Sequence, residues 1–567
     1  MREDHGVTAH YTIGLDFGTN SVRALLVRTG DGAEIASYVH HYRHGTGGVI
    51  EEPSDPNLAR QHPRDYLDGA EESIRGALRT AEVEPDFDPS RVIGIGVDTT
   101  GSTPLPVDEA GTPLAFRSDC DGNPNALAWL WKDHTAVAEA EEITRTARRK
   151  KPEYLRKYGG VYSAEWYWSK LLHCARADPE LFAASATWLE ICDWIPAQLC
   201  GIHEPRRIKH SICAAGHKAL YNPQWGGFPD ERFLGDFHHE LARIRRTLPH
   251  RCYSVREKLG ELSAEWAGRT GLPAGIPVAV GAFDAHLGGV GGGIGPGTMV
   301  KSIGTSTCDV MVQPFDREIE DIPGLCGIVP ESILPQAWGL EAGQSAVGDI
   351  LNWYVHYMQE VSGGHEELTA RAESLAPGES GLLALDWHNG NRSVLADQRL
   401  TGAIAGLTLH TRPEEIYRAL VEATAFGARV ILERFEEYAV PVERIITCGG
   451  IATKNRMLMQ IYADVLKRPL RVSRTDQAAA LGAAIAGAVV AGGEAGGHDD
   501  VPAAIRAMTG VRDLVYEPDE GCASVYDRLY TLYRSVHDAF GGVRQDSDLS
   551  RLMKELIAIR EEARNRI

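Results

Sequence analysis

The feature that most limits how this chain can fold is a repeated grammar: a strand, a short Gly-containing turn flanked by hydroxyl side chains, and a second strand. It occurs at Leu15-Asp16-Phe17-Gly18-Thr19-Asn20-Ser21 and again at Ser302-Ile303-Gly304-Thr305-Ser306-Thr307. Around the first copy, residues 11–16, 22–28 and 35–41 read as three strands, with Asp31-Gly32 as the second turn. A helix follows Pro63, with Tyr66, Ala70, Ile74 and Leu78 at i, i+4 spacing. A strand over 91–98 comes next, then a hairpin at 105–108 turning at Ala110-Gly111. The second copy continues from strands at 298–303 and 307–312 to a long helix over 413–438, with Ile416, Leu420, Ala423, Phe426 and Val430 on one face. A strand at 444–447, a helix over 454–466, a strand at 470–473 and a helix from Ala478 complete it. Two βββ-then-αβα halves predict an α/β fold made of a duplicated domain, with a cleft between the copies. Residues 120–259 are richer in Trp, His and Tyr, lack this alternation, and read as an insertion carrying substrate contacts.

Composition narrows the partners. At 567 residues the chain is too long for one core and is expected to hold two large domains. A formal charge of −20 argues against nucleic acid or an anionic membrane as the main partner. The opening MREDHGVTAHY has no apolar h-region, so no secretory signal is expected. Residues 478–493 are apolar but short and rich in Ala and Gly, which reads as a buried helix and not a membrane span. The 10 cysteines have no metal-site spacing and read as reduced thiols of a cytoplasmic protein.

The turns carry the candidate chemistry. At 15–21 a carboxylate, Asp16, ends a buried strand, and Thr19, Asn20 and Ser21 follow. Such a turn can aim N–H and O–H groups at phosphate oxygens while Asp16 holds hydrated Mg²⁺. Taken singly it is also a plain hairpin in which Asp and Asn supply turn chemistry. The second turn, with Gly304 and Thr305, would clamp the same triphosphate from the other side. A third element, Cys448-Gly449-Gly450-Ile451-Ala452 with Asn455, follows a strand and starts a helix; paired glycines there let backbone approach a flat adenosine. Asp284, between an apolar strand at 277–280 and the glycine-rich 288–297, is placed to accept a hydroxyl proton; capping a helix from Ala285 is the other reading.

Together these turns resemble the two phosphate motifs and the adenosine motif of the actin, hexokinase and Hsp70 superfamily. More narrowly the chain resembles the FGGY carbohydrate kinases, and within them the L-ribulokinase group. Trp131-Lys132-Asp133-His134-Thr135-Ala136 is the most specific of the matching runs. Others are Tyr158–Trp166 (YGGVYSAEW), Cys213-Ala214-Ala215-Gly216-His217-Lys218, Gly281-Ala282-Phe283-Asp284-Ala285-His286 and Leu340-Glu341-Ala342-Gly343-Gln344. The run Asp386-Trp387-His388-Asn389-Gly390-Asn391-Arg392 departs from the pattern at His388, where a second aromatic is expected.

The resemblance implies two actin-like (ribonuclease H-like) domains, 1–287 for sugar, with an insertion at about 120–260, and 288–567 for nucleotide. It implies Asp284 as catalytic base, with Gly101, Ser102, Lys218 and Glu341 as sugar contacts. Thr19, Asn20, Ser21, Gly304, Thr305, Gly449, Gly450 and Asn455 would hold ATP, and Asp16 would position Mg²⁺. Of Trp129, Trp131, Trp166 and Trp168, most are expected to pack in a core. The activity implied is phosphorylation of L-ribulose in L-arabinose catabolism. A kinase for D-ribulose, xylulose or ribitol is the alternative within the class, and a conformational ATPase the alternative outside it. A homodimer is left open.

Overall fold

The computed structural model describes residues 9–85, 87–358, 364–546 and 548–565. Two mixed sheets form the two lobes. The first runs in the order Lys258–Glu261, Pro277–Ala279, Val92–Thr99, Tyr11–Phe17, Ser21–Arg28, Glu34–His41, and Ala282–Phe283 also pairs with Val92–Thr99. The second runs Gly327–Pro330, Ala337–Ala342, Thr307–Pro314, Thr298–Ile303, Arg444–Cys448, Leu470–Ser473, Val511–Tyr516. Tyr11–Phe17 and Thr298–Ile303 occupy equivalent places. Each has an antiparallel hairpin partner on one side and a parallel strand on the other. The expected duplication of an actin-like unit is therefore present. Both strands are buried on both faces, which is why they read as near-continuous apolar runs. In the second hairpin Lys301 and Asp309 are cross-strand partners, with Lys301 Nζ 2.8 Å from both carboxylate oxygens, deep in the lobe.

The insertion builds its own aromatic core around Trp129, Tyr158, Trp168, Trp188 and Phe233, and that core reaches Val329 of the second sheet. It thereby lies against the second lobe on one side of the cleft. Pro413–Glu437, the longest helix, is buried along most of its length in the second lobe.

Two parts of the sequence reading are corrected. The turn expected at Ala110-Gly111 is present but closes only on a single bridge, Val107 to Pro113; the ladder partner of Pro104–Val107 is the distant Thr187–Glu190. Beyond Gly510 there is more than a helix pair. Val511–Tyr516 adds an edge strand to the second sheet before the helices Glu520–Phe540 and Leu552–Arg564. Its alternation is masked by charged residues on an exposed edge, a common device against edge-to-edge pairing.

The lobes meet along two helices, Asp284–Gly291 and Ala478–Ala491, that cross at backbone contact. A Cβ on Gly482 would lie 1.9 Å from the Leu287 carbonyl oxygen, and one on Gly291 2.0 Å from that of Ala478. The second helix also lies directly on the first sheet, where a Cβ on Gly96 would meet the Ala483 carbonyl oxygen at 1.9 Å. The 478–493 segment is thus a buried packing helix, as its Ala and Gly content indicated. Among the described residues no helix is long and apolar enough to cross a membrane, and all ten cysteines are unpaired.

Such a seam has no slack. Gly96→Ala should cost at least about 1–3 kcal/mol, the usual range for forced overpacking, and lower the thermal unfolding midpoint. An unchanged midpoint would show that the seam yields more readily than its contacts imply.

Candidate active site

A cavity of about 1220 Å³ opens between the lobes. Its walls come from the ends of central strands and from the insertion, so it has distinct regions. One is made by Ser302, Gly304, Thr305, Ser306, Cys448, Gly449 and residues 476–479. Another is made by Gly101, Glu165, Trp166, Lys218, Glu341 and Arg392. Asp16, Thr19 and Asp284 also line it.

The cavity gathers most of the residues expected from sequence: Asp16, Thr19, Gly101, Lys218, Asp284, Gly304, Thr305, Glu341 and Gly449. Five others lie off its lining. Asn20 points its side-chain amide at the Gly47 carbonyl, and Ser21 opens the second strand of its hairpin. Ser102 is fully buried and donates its hydroxyl to Glu190, so its side chain is turned away from the cavity. Gly450 begins a one-turn helix with open space around it. Asn455 caps the helix Arg456–Leu466, its Oδ1 accepting the Leu458 N–H at 3.0 Å.

The glycines also differ from expectation. Neither Gly18 nor Gly304 has a left-handed φ, and a Cβ on either meets nothing closer than 3.6 Å. Gly449 is the constrained one, with φ +93° and a Cβ that would fall 2.5 Å from the Ile303 carbonyl oxygen. Of the four tryptophans, Trp129 and Trp168 are fully buried, as core packing requires. Trp131 and Trp166 line the cavity, and Trp131 Nε1 donates to Thr19 Oγ1 at 3.0 Å.

Asp284 opens its helix, directly after Phe283, and Oδ1 accepts the Ala285 N–H at 2.6 Å. Burial, then the negative charge of Asp16, pushes its pKa up to about 7. A carboxylate poised there can both take and hold a proton near neutrality. Asp16 and Asp98 are register partners on neighbouring parallel strands, and Asp98 in turn pairs with Ala282. Three strand ends therefore converge on three carboxylates. Asp98 is wholly buried, and burial followed by the charges of Asp16 and Asp284 raises its pKa strongly. Burial also raises Asp16, which Arg23 at 3.7 Å partly offsets. Sequence reading used Asp98 only as the end of a strand; its pairing with Asp16 is a tertiary fact.

Crowded, buried carboxylates of this kind fit a divalent cation, which would relieve their mutual repulsion. Asp16 and Asp284 face the cavity, and Asp98 lies behind Asp16 on the neighbouring strand.

Lys218, at the end of the helix Ile212–Lys218, and Glu341, in Ala337–Ala342, form a buried ion pair across the lobes. Lys218 Nζ lies 3.0 and 3.1 Å from the two carboxylate oxygens. His217 Nδ1 and His286 Nε2 approach Glu341 Oε2 at 3.3 and 3.5 Å. Burial opposes the Glu341 anion, but Lys218, His286 and His217 together hold its pKa well below the usual carboxylate range. These two histidines and Glu341 have the spacing of a metal triad. The Lys218 ammonium already occupies the carboxylate, so we read them as groups that orient Glu341.

The geometry is that of a two-substrate cleft: backbone-lined turns on one side, a polar charged cradle on the other, and a carboxylate of raised pKa in the same cavity. Comparison with known proteins agrees. Residues 11–291 match the N-terminal domain, and 299–491 the C-terminal domain, of the FGGY family of carbohydrate kinases. A ribulokinase of Bacillus licheniformis is 42% identical over 94% of this chain and 97% of its own length. One of Mycolicibacterium smegmatis is 40% identical over 98% and 97%. Among solved structures, a xylulose kinase from Rhodospirillum rubrum superposes with a TM-score of 0.73 at 25% identity, covering 94% of this chain and all of that one. Plasmodium falciparum glycerol kinase with ADP shares the fold, with a TM-score of 0.73 at 15% identity over 93% of this chain and 98% of that one. With both domains matched in order along the chain, this protein belongs to the FGGY family of carbohydrate kinases.

Proposed function

We propose that this enzyme transfers the γ-phosphoryl group of ATP to O5 of L-ribulose, the kinase step of L-arabinose catabolism, in the cytoplasm. The observation that carries the substrate is near-full-length identity of about 40% to several relatives named ribulokinase. Ten unpaired cysteines fit a reducing compartment. A pentulose kinase of different preference is the second reading, favoured by the likeness to the xylulose kinase structure.

In this account the sugar lies between Gly101, Lys218 and Glu341, with its terminal primary hydroxyl against Asp284. Lys218 donates to sugar oxygens and Glu341 accepts from a hydroxyl. The phosphates rest on Thr19 and on Gly304–Ser306, and the adenosine on the backbone at Gly449. Asp284 takes the hydroxyl proton as the bond from that oxygen to the γ-phosphorus forms and the bond from the γ-phosphorus to the β,γ-bridging oxygen breaks, releasing ADP. Asp16 and, behind it, Asp98 would hold Mg²⁺, which supplies charge neutralisation at the phosphates. Closure of the lobes excludes water that would otherwise consume ATP.

Asp284→Asn should lower turnover by roughly 10²–10⁴-fold while nucleotide affinity, measured by calorimetry, is kept. In wild type, kcat/KM for the sugar should rise with pH and level off above about 7, where Asp284 is deprotonated. The sign for stability is opposite. The folded state holds this proton more tightly than the unfolded chain, so the contribution of Asp284 to stability falls as pH rises from 3.8 through about 7. The Asn variant should therefore be no less stable than wild type at pH 8. Near-normal turnover in the variant removes Asp284 from the base role.

A coupled ADP-release assay over ketoses, aldoses and polyols tests the substrate. L-Ribulose should give the highest kcat/KM, other 2-ketopentoses less, and aldopentoses, glycerol and hexoses least. D-Xylulose or ribitol above L-ribulose would keep the kinase and overturn the sugar.

A further inference from the structure

Among the charged side chains that line the cavity, Glu165 and Arg392 lie in the region of Lys218 and Glu341 but have no part in the function proposed above. Glu165 follows the Ser163 turn of the insertion, and Arg392 sits in a turn of the second lobe. Both line the same cavity as Lys218 and Glu341.

Each is held in place. Glu165 Oε1 is 3.0 Å from His134 Nε2, and the Glu165 N–H donates to Ser163 Oγ at 3.2 Å. His134 is itself tied by its N–H to the Asn57 carbonyl at 2.9 Å. On the other lobe, Asn391 and Asp397 exchange backbone hydrogen bonds at 2.9 Å, and Asn391 Oδ1 accepts the Leu395 N–H at 3.0 Å. Ser393, directly after Arg392, accepts the Gly343 N–H on its Oγ at 3.2 Å, which fixes the turn against the strand end that carries Glu341.

Arg392 itself is different. Among the described residues no hydrogen bond or contact ion pair engages its guanidinium, although it lies in a largely buried cavity wall. Five N–H donors without protein partners are costly unless a ligand or water meets them.

The charges are also ordered. Asp16, Glu341 and Lys218 are the charges that act most strongly on Asp284. His134, Arg392 and Lys218 act most strongly on Glu165. Lys218 thus acts on both Asp284 and Glu165, and Glu341 on both Asp284 and Arg392, while neither Glu165 nor Arg392 is among the charges that act on Asp284. Lys218, Glu165, Glu341 and Arg392, two from each lobe, sum to zero charge.

We propose that Glu165 and Arg392 form a second acceptor–donor pair that binds the end of the sugar remote from Asp284 and makes the site selective for an uncharged polyol. Glu165 accepts from a sugar hydroxyl, and Arg392 donates to a hydroxyl or carbonyl oxygen. A neutral sugar leaves the four charges balanced, whereas a sugar acid adds an unpaired negative charge to a buried site. This rests on the sugar-kinase reading and goes further in naming which groups select the substrate. It also gives the Trp131–Ala136 run a purpose, since His134 within it orients Glu165.

The test uses Glu165→Gln, which keeps size, and the pair Arg392→Gln and Arg392→Lys, all in the full chain. The sugar is whichever one wild type turns over best, so a different preferred pentulose does not affect the result. Sugar KM should rise by about tenfold to a hundredfold in Glu165→Gln and Arg392→Gln, as for loss of a buried charged hydrogen bond. ATP KM should stay within about twofold, and Arg392→Lys should recover part of the loss. Inhibition by gluconate, an anionic polyol, should strengthen in Glu165→Gln and weaken in Arg392→Gln. A purely structural role would move both KM values together, with a lower unfolding midpoint and no opposite effect on gluconate. That pattern, or an unchanged sugar KM in both Gln variants, overturns the proposal while leaving the kinase assignment standing.

Discussion

The contact on which the rest depends is the glycine-lined crossing of Asp284–Gly291 and Ala478–Ala491. Each helix has bare backbone where the other passes, and a single added Cβ at Gly482 or Gly291 would overlap a carbonyl oxygen. Asp284 is the first residue of one of these helices, and residues 476–479, which line the cavity, begin the other. Asp284 and the cavity wall at 476–479 are therefore set relative to each other by main-chain contact, without flexible side chains between them. A cleft of this build can open and close about the seam while the reacting groups keep their register.

Electrostatics then divides the cavity. Near the seam Asp16, Asp98 and Asp284 crowd together, and each has a raised pKa: burial opposes ionisation in all three, and like charge adds to it at Asp98 and Asp284. That is the environment a proton acceptor and a cation site need. Farther out, Lys218 and Glu341 reverse the balance. Burial alone would neutralise Glu341, but Lys218, which donates to both of its oxygens, and the nearby His286 and His217 keep it charged. Carboxylates lining one cavity are thus shifted in opposite directions by the charges beside them.

Much of this was legible in the sequence, for identifiable reasons. The paired hairpins showed because a strand buried on both faces reads as a near-continuous apolar run, and Gly and hydroxyl residues mark the turn after it. Asp284, Lys218 and Glu341 were visible through short runs that resemble a known family. What stayed hidden needed contacts between distant segments. Asp98 reads as an ordinary strand end until parallel pairing sets it beside Asp16. Glu165 and Arg392 have meaning only across the cleft. Asn455 after a helical turn is the same letter whether it caps a helix or meets a nucleotide, and its Oδ1 is committed to the cap. Likewise the strained glycine is Gly449, not Gly18 or Gly304, because backbone angle depends on how the strand end meets Ile303.

The central claim is that the cleft delivers a terminal sugar hydroxyl to Asp284 for phosphorylation. Phosphorus–carbon correlation NMR of the product made from ¹³C-labelled L-ribulose and ATP tests it most directly. The account requires one phosphate ester, at C5, formed in step with ADP. Phosphate on C1 or on an internal carbon, or ADP release with no sugar ester, would contradict it.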